Sequence, residues 1–348
     1  MDWTGATDVL RWLRESDPAK VRSLLEEADA VRRREVGDEV HLRGLVEVSN
    51  RCVRDCAYCG IAVSHRDLVR YRMTAEEVLA CARMAARLGF GTVVLQGGED
   101  YGLTREWVAG VVRAIRQETP LAITLSLGER PDEDLIAWRE AGADRYLLRF
   151  ETTDQDLYRQ IHPPLPGETR DRFQILARLR ELDYEVGSGI MVGIPGQTWE
   201  TLARDLWRFR EMDLDMIGIG PFIPHPETPL GRPGVPDAGP DQVPANEDTV
   251  LRCVALARLL RPDANIPSTT ALATINRERG REHGLQCGAN VVMPNLTPQR
   301  YRVLYEIYPA KASADEPPER TAEAVTRRVL ALGRTIARGP GPRRGRGR

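Results

Sequence analysis

The sequence predicts an α/β fold in which eight parallel strands, each followed by a helix, close into a (β/α)8 barrel of the TIM type. Apolar segments rich in β-branched residues recur eight times after residue 40, and amphipathic helical patterns fill most of the gaps. Strands that alternate with helices form parallel sheets. Eight such units in about 260 residues match the usual size of a closed barrel, while an open doubly wound sheet is the alternative.

The predicted strands share short apolar runs bounded by polar or turn residues, and they cover residues 41–49, 92–97, 122–127, 145–151, 185–192, 216–222, 265–270 and 290–294. The predicted helices cover residues 74–88, 104–117, 132–141, 170–182, 198–212 and 246–260. The first of these helices opens with Thr74 and Glu77 at capping-box spacing. The eighth helix is the least defined, and residues 298–308 are the best candidate for it.

Three regions follow from this pattern. Residues 1–40 form a helical extension, in which Asp17 and Pro18 mark a helix start, and residues 41–310 form the barrel. Residues 311–348 hold one amphipathic helix at 321–337 and a basic tail at 339–348 that we expect to be disordered. RNA binding by this arginine- and glycine-rich tail stays open, although a solvated tail is the default.

Charge and hydropathy argue against a nucleic-acid-binding, membrane-spanning or secreted protein. Charged residues make up 29% of the chain and the formal net charge is −2, so no overall field attracts nucleic acid or acidic membranes. No apolar run approaches the length of a membrane span, and the charged N-terminus does not match a signal peptide. We therefore expect a cytoplasmic protein that binds neither membranes nor nucleic acid.

Three of the six cysteines, Cys52, Cys56 and Cys59, stand in C-x3-C-x2-C spacing directly after the first predicted strand. Thiolates on one short loop can hold three irons of a 4Fe-4S cubane and leave the fourth iron open for a small molecule. A zinc site with His65 as the fourth ligand is the alternative. The scattered cysteines, which show no cluster spacing, are predicted to be buried, inert thiols: Cys81, Cys253 and Cys287.

The carboxyl ends of barrel strands carry the functional residues of this fold. Polar or glycine residues at the predicted strand ends include Gln96, Gly97, Gly98, Ser126, Arg149, Glu151, Thr269 and Thr270, together with Met293. A buried charge needs a partner, so Arg149 and Glu151, which share one face of a strand, are expected to pair. His162 and His225 lie in loops and are expected to be exposed.

The cysteine motif resembles that of the radical S-adenosylmethionine (SAM) superfamily. Over residues 40–310 the chain resembles the branch of this superfamily that matures FeFe-hydrogenases, with methylornithine synthase and biotin synthase as near relatives. The similar stretches are residues 70–74, 95–100, 124–129, 143–149, 191–198, 218–230, 266–271 and 287–298. The resemblance implies that SAM chelates the open iron and that an electron from the cluster cleaves SAM to a 5′-deoxyadenosyl radical.

For this branch, the resemblance implies a small cysteine-bound iron carbonyl cyanide substrate and a product that contributes to the di-iron subcluster of the hydrogenase. A reductant such as ferredoxin or flavodoxin and the other hydrogenase maturases are the implied partners. The resemblance also implies residue roles. Cys52, Cys56 and Cys59 ligate the cluster, Tyr58 lies against the adenine, and Gln96, Gly97, Ser126, Glu151 and Arg172 contact SAM. Arg172 fits the family spacing better than Arg170. Arg149, Thr269, Thr270, Met293 and Tyr301 line the substrate cavity.

Two departures from the branch are visible. No cysteine follows residue 310, where many members carry a second cluster, so we expect one cluster only. Phe150 stands where the pattern has histidine. A methylornithine-synthase-like mutase acting on an amino acid such as lysine stays open, as does a non-catalytic iron-sulfur or zinc scaffold. A biotin synthase would need further cysteines.

Overall fold

Parallel strands pair around the centre of the molecule in the computed structural model, which describes residues 3–165, 171–235, 237–312 and 316–344. The strands are β1 (Glu39–Ser49), β2 (Thr92–Gly97), β3 (Ala122–Ser126), β4 (Arg145–Leu147), β5 (Glu185–Val192), β6 (Met216–Pro221), β7 (Val291–Val292) and β8 (Thr335–Ile336). They pair in the order β6-β5-β4-β3-β2-β1-β7, and β8 adds to the start of β1. This parallel barrel of the TIM type confirms the predicted fold class.

The predicted strand at 265–270 is reduced to two isolated bridges, one from Asn265 to Met216 and one from Pro267 to Val291. These bridges connect β6 to β7, so the pairing continues around the barrel. A longer strand does not form because Pro267 has no N–H to donate. In addition, Thr269 already caps the next helix, since its hydroxyl accepts a hydrogen bond from the Leu272 N–H.

The helices of the described part surround the strands: α1 (Ala6–Leu13), α2 (Pro18–Val36), α3 (Ala75–Arg87), α4 (Arg105–Glu118), α5 (Asp132–Ala141), α6 (Gln155–Ile161), α7 (Arg172–Glu181), α8 (Trp199–Glu211), α9 (Glu247–Leu260), α10 (Thr270–Ile275), α11 (Gly280–Gln286), α12 (Gln299–Arg302) and α13 (Pro318–Ala331). Their starts follow the sequence signals. Thr74 and Glu77 form the predicted capping box of α3, and Asp17 caps α2 before Pro18. No helix among the described residues is long and apolar enough to span a bilayer.

The C-terminal region differs from the prediction in two ways. Helix α13 ends at Ala331, not at residue 337, because Gly333 takes a left-handed conformation with φ of 73°, and β8 follows. The expectation of disorder is wrong for residues 339–344, while residues 345–348 lie outside the described part. The Pro340 carbonyl accepts hydrogen bonds from Arg145 and Thr92, and the Gly341 carbonyl accepts one from Arg43.

These contacts lie at the floor of the barrel, where strands begin. Arg43 and Arg145 are buried inside the barrel, and the chain after Gly339 supplies carbonyl oxygens that they would otherwise lack. Arg343 then bonds to Asp213, Asp215 and Asp263 on the outer edge of the floor. Buried guanidinium groups need such partners because an unpaired buried charge is costly. The C-terminal segment therefore completes the floor of the barrel.

We predict that Gly91→Ala loosens this segment. A Cβ at Gly91 would lie 1.6 Å from the Gly339 carbonyl oxygen, so the tail must move away from the floor. The free energy of unfolding should fall by about 1–3 kcal/mol in urea denaturation, the usual cost of overpacking. Trypsin should also cleave the C-terminal segment faster.

The matched control is Gly110→Ala in α4. A Cβ at Gly110 meets no atom within 4 Å, so this change should stabilise the protein by about 0.5–1 kcal/mol. Equal effects of the two substitutions would contradict the packing of the tail against Gly91.

Candidate active site

A cavity of about 340 Å³ extends inside the barrel from the floor, where Arg43 and Met216 line it, to the carboxyl ends of the strands. The loop that carries Cys52, Cys56 and Cys59 borders it. The structure also places these predicted residues on its wall: Tyr58, Gln96, Gly97, Ser126, Arg149, Glu151, Arg172, Thr269, Thr270 and Met293. Residues from β1, β2, β3, β4 and β7 therefore meet in one space, as the barrel rule predicts.

The cysteine loop is fixed against the end of β2 by backbone contacts. The Gly98 N–H donates to the Ser49 carbonyl at 3.0 Å, and the Val53 N–H donates to the Glu99 carbonyl at 2.9 Å. A Cβ at Gly98 would lie 2.3 Å from the Arg51 carbonyl oxygen. Glycine at this position thus lets the loop approach the strand end closely.

Four buried charged side chains form a network that connects the cysteine loop to the neighbouring strand ends. Arg54 of the loop donates from Nε to Glu99 Oε1 at 2.8 Å and from Nη2 to Glu129 Oε2 at 2.9 Å. Arg172 Nε donates to Glu129 Oε1 at 2.8 Å, and the Glu129 N–H donates to Glu99 Oε2 at 2.8 Å. Burial raises the pKa of Glu99, against the opposing effect of Arg54. The network connects the cysteine loop to β2, β3 and α7.

The three loop cysteines are free and half-buried. Burial raises the pKa of Cys59 to about 12 and also raises the pKa of Cys56 well above its usual value. A bound metal centre reverses this effect because its positive charge stabilises the thiolate.

The donor set suits a cluster better than a single ion. Nowhere among the described residues do three or more His, Cys, Asp or Glu side chains converge on the position of one metal ion. A cubane does not need such convergence, since each thiolate binds a different iron. The proposed fourth zinc ligand, His65, has its Nδ1 2.7 Å from the Gly60 carbonyl oxygen. The residues present therefore fit a 4Fe-4S cluster held by three cysteines.

Tyr58 lines the cavity next to Cys59 in the chain and packs against a small apolar cluster. This cluster consists of Leu157, Ile161, Met191, Ile194 and Phe222. An aromatic side chain against an apolar wall suits a flat ring such as adenine. The position of Tyr58 is therefore compatible with the predicted role.

Arg149 and Glu151 form the predicted ion pair across the wall of the cavity. Arg149 Nε donates to both carboxylate oxygens of Glu151 at 3.0 and 3.1 Å, and Arg149 Nη2 donates to the Ile190 carbonyl at 2.5 Å. Glu151 takes a left-handed backbone conformation with φ of 63°, which is uncommon for glutamate. Phe150, the departure from the family pattern, packs against Phe173 and is buried away from the cavity.

One cavity prediction is wrong. Tyr301 does not line the cavity, because α12 directs it toward α3, where it donates to Glu77 Oε1 at 2.9 Å and stacks on Tyr71. Tyr305 and Tyr308 line the cavity instead. The spacing of tyrosines in residues 301–308 shows that a tyrosine is close but does not show which one faces inward.

The expectation that the two loop histidines are exposed is also wrong. His162 and His225 are 3% and 5% exposed. His162 accepts a hydrogen bond from Arg172, and burial together with Arg172 lowers the pKa of His162 to about 2. His162 therefore stays neutral. Because Arg170 lies outside the described residues, only Arg172 has a described position, and it lies in the site as predicted.

Sequence reasoning missed a buried ion pair on the cavity wall. Lys311 Nζ lies 2.5 Å from Glu47 Oε1 and also donates to the Tyr305 carbonyl. The other carboxylate oxygen of Glu47 is buried without a hydrogen bond within the described part. A glutamate inside the apolar first strand was the available signal, since a charge there must have a partner. The three scattered cysteines, by contrast, are buried free thiols as predicted.

Comparisons with known proteins agree with this geometry. A family model described as the radical SAM superfamily matches residues 46–206. The FeFe-hydrogenase maturase subunit HydE of Thermotoga maritima is 46% identical over 322 residues, which cover 92% of this chain and 89% of that protein. The chain belongs to the radical SAM superfamily. It is an enzyme of the radical SAM type, and this family implies a 4Fe-4S cluster and SAM as cofactors.

More distant relatives belong to the same superfamily. The 3-methylornithine synthase of Methanosarcina acetivorans is 28% identical over 76% of this radical SAM chain and 72% of its own length. The solved structure of methylornithine synthase (PylB) has a TM-score of 0.79 at 26% identity, covering 96% of this chain and 94% of that chain. HydG, a maturase of FeFe-hydrogenase, has a TM-score of 0.77 at 18% identity, covering 95% and 72%, which shows a shared fold.

We predict that Asp205, which bonds to Thr153, makes the folded protein more stable as the pH falls. It accepts hydrogen bonds from the N–H and hydroxyl of Thr153, directly after the Glu151 segment, and burial raises the pKa of Asp205 to about 6. The unfolded carboxyl titrates near pH 3.9, so between pH 6 and 4 only the folded protein holds this proton. This group should therefore add about 1.4 kcal/mol of stability per pH unit as the pH falls through that window.

The measurement compares the free energy of unfolding of the wild type and of Asp205→Asn from pH 7 to pH 4. The difference should move in favour of the wild type by about 2–3 kcal/mol over this range. Parallel pH profiles would show that the pKa of Asp205 is not raised in the folded protein.

Proposed function

We propose that this protein is a HydE-type enzyme that acts in the assembly of the di-iron subcluster of FeFe-hydrogenase. Its substrate would be a small cysteine-bound iron carbonyl cyanide complex, held inside the barrel. The observation that carries this proposal is the 46% identity to HydE over 92% of the chain. The cavity supports it, because the cysteine loop and several polar side chains share one mostly apolar wall.

The cavity wall has two halves with different roles in this proposal. Gln96, Gly97, Ser126 and Glu151 come from β2, from β3 and from the segment after β4, and they would hold SAM. Thr269, Thr270 and Met293 come from the start of α10 and from the end of β7, and they would contact the substrate. When bound, the cluster would supply the electron that cleaves SAM to a 5′-deoxyadenosyl radical. The protein would position both molecules and exclude water and oxygen from them.

Thr270 is the better placed of the two threonines for substrate contact. The Thr269 hydroxyl already donates to the Ile219 carbonyl at 3.1 Å and caps α10. The Thr270 hydroxyl lines the cavity and makes no hydrogen bond within the described residues. Met293 adds a soft thioether to the wall, a group compatible with a low-valent iron complex. The cavity therefore offers a free polar contact and a soft one.

A methylornithine-synthase-like mutase is the second candidate. The structural match extends over 94% of the PylB chain, so the fold does not distinguish the two functions. Such an enzyme would act on an amino acid such as lysine. The reductant, for which ferredoxin or flavodoxin is the expected class, and the transient maturase partners belong to this proposal as well.

We predict that the reconstituted protein activates apo-hydrogenase under anaerobic conditions when the other maturases, SAM and a reductant are present. Hydrogen evolution is the measurement, and omission of this protein should abolish activation. Thr270→Val should slow activation by about fivefold to tenfold, the usual effect of losing one hydrogen bond.

Thr326→Val in α13 is the matched control, because its hydroxyl donates to the Ala322 carbonyl within the helix and lies outside the cavity. It should leave the activation rate unchanged. Conversion of lysine to a rearranged amino acid, without any activation of hydrogenase, would replace the proposal with the mutase alternative.

A further inference from the structure

The cavity wall carries more positive than negative side chains. Among the described residues, the cations on the wall are Arg43, Arg54, Arg149, Arg172, Arg281 and Lys311, and the acids are Glu47, Glu99 and Glu151. A cavity with this charge balance favours an anionic ligand.

All but one of these cations already bond to the protein. Arg54, Arg149 and Lys311 pair with Glu99, Glu151 and Glu47, and Arg172 pairs with Glu129. Arg43 donates to Met216 Sδ and to the Gly341 carbonyl at the floor of the barrel, and its remaining Nε is fully buried there without a partner within the described residues. The guanidinium of Arg281 alone makes no hydrogen bond and no ion pair within the described part. It is therefore the cation that remains available to a ligand.

The backbone at Arg281 is held in place although its side chain is not engaged. Its carbonyl, in the first turn of α11, accepts a hydrogen bond from the Ser268 hydroxyl at 3.0 Å. Two acids lie near Arg281, and both have other partners. Glu282 pairs with Arg328, and the Glu316 carboxylate accepts a hydrogen bond from the Thr321 hydroxyl. Burial and the nearby Arg328 lower the pKa of Arg281 by more than Glu282 and Glu316 raise it.

We propose that Arg281 binds the carboxylate of the substrate and so orients the substrate in the cavity. A guanidinium fork binds a carboxylate through two parallel N–H···O bonds, which fix direction as well as position. This inference rests on the proposed function of the cavity. It holds for both substrate candidates, because a cysteine-bound iron complex and a free amino acid each carry an α-carboxylate.

The assignment revises the part given to Arg149 by the family resemblance. Arg149 already donates to both oxygens of Glu151 and to the Ile190 carbonyl. Of its three nitrogens only Nη1 has no hydrogen bond within the described residues, so Arg149 does not offer a carboxylate a free fork. Arg281 offers its whole fork, so the carboxylate end of the substrate lies on the α11 side of the cavity.

Equilibrium binding of paired probes tests the inference without any turnover. The probes are L-alanine and L-norvaline, each compared with its amide, which has nearly the same shape but no carboxylate. The wild-type protein, loaded with its cluster and SAM, should bind each acid about tenfold to a hundredfold more tightly than its amide, as expected for a charge-assisted bidentate contact. Arg281→Gln should remove this preference, and Arg281→Lys should retain part of it.

Arg279→Gln is the matched control, since Arg279 is exposed, lies two residues away and does not line the cavity. It should leave the preference for the acids intact. Circular dichroism and iron content check the folding of each variant. An acid preference that survives in Arg281→Gln, or a wild-type protein that prefers neither acid over its amide, would overturn the assignment. Acid binding that depends on Arg281 in a protein that fails to activate hydrogenase would instead reject only the maturation function.

Discussion

The buried ion network beneath the cysteine loop is the interaction on which the rest of the site depends. Arg54 connects the loop to Glu99 after β2 and to Glu129 after β3, and Arg172 connects Glu129 to α7. Removing one member of such a network leaves an uncompensated charge in the interior, which costs about 3–5 kcal/mol. The network therefore holds three separate strand ends and the loop in one arrangement. Gly98 allows the close approach that this arrangement requires.

Other buried charges in the barrel are also paired or hydrogen-bonded. The ion pair of Glu47 and Lys311 joins β1 to the chain that follows the barrel. Arg149 and Glu151 form an ion pair within the segment that follows β4. At the floor, carbonyl oxygens of the C-terminal segment accept hydrogen bonds from Arg43 and Arg145, while the buried Nε of Arg43 has no partner within the described residues. The barrel thus encloses a mostly apolar cavity whose charged side chains mainly bond to other protein groups. A cavity of this kind can hold a charged small molecule.

Much of the fold could be read from the sequence because strand runs, capping residues and cluster spacing are local signals. Thr74 with Glu77 located a helix start, and Cys52, Cys56 and Cys59 located the loop. Non-local contacts could not be read in this way. Which tyrosine faces the cavity depends on how α12 packs, so the sequence alone does not distinguish Tyr301 from Tyr305 and Tyr308. The ordered residues 339–344 depend on Arg43 and Arg145, whose need for partners is visible only once the barrel is closed.

The most direct test of this account is the electron paramagnetic resonance spectrum of the reduced, anaerobically reconstituted protein with and without SAM. The account predicts about four irons per chain. It also predicts a reduced-cluster signal that shifts when SAM is added, and formation of 5′-deoxyadenosine. Cys56→Ala should abolish all of these, whereas Cys81→Ala, which removes a buried thiol outside the loop, should retain them. A cluster signal that ignores SAM, or zinc in place of iron, would contradict the account.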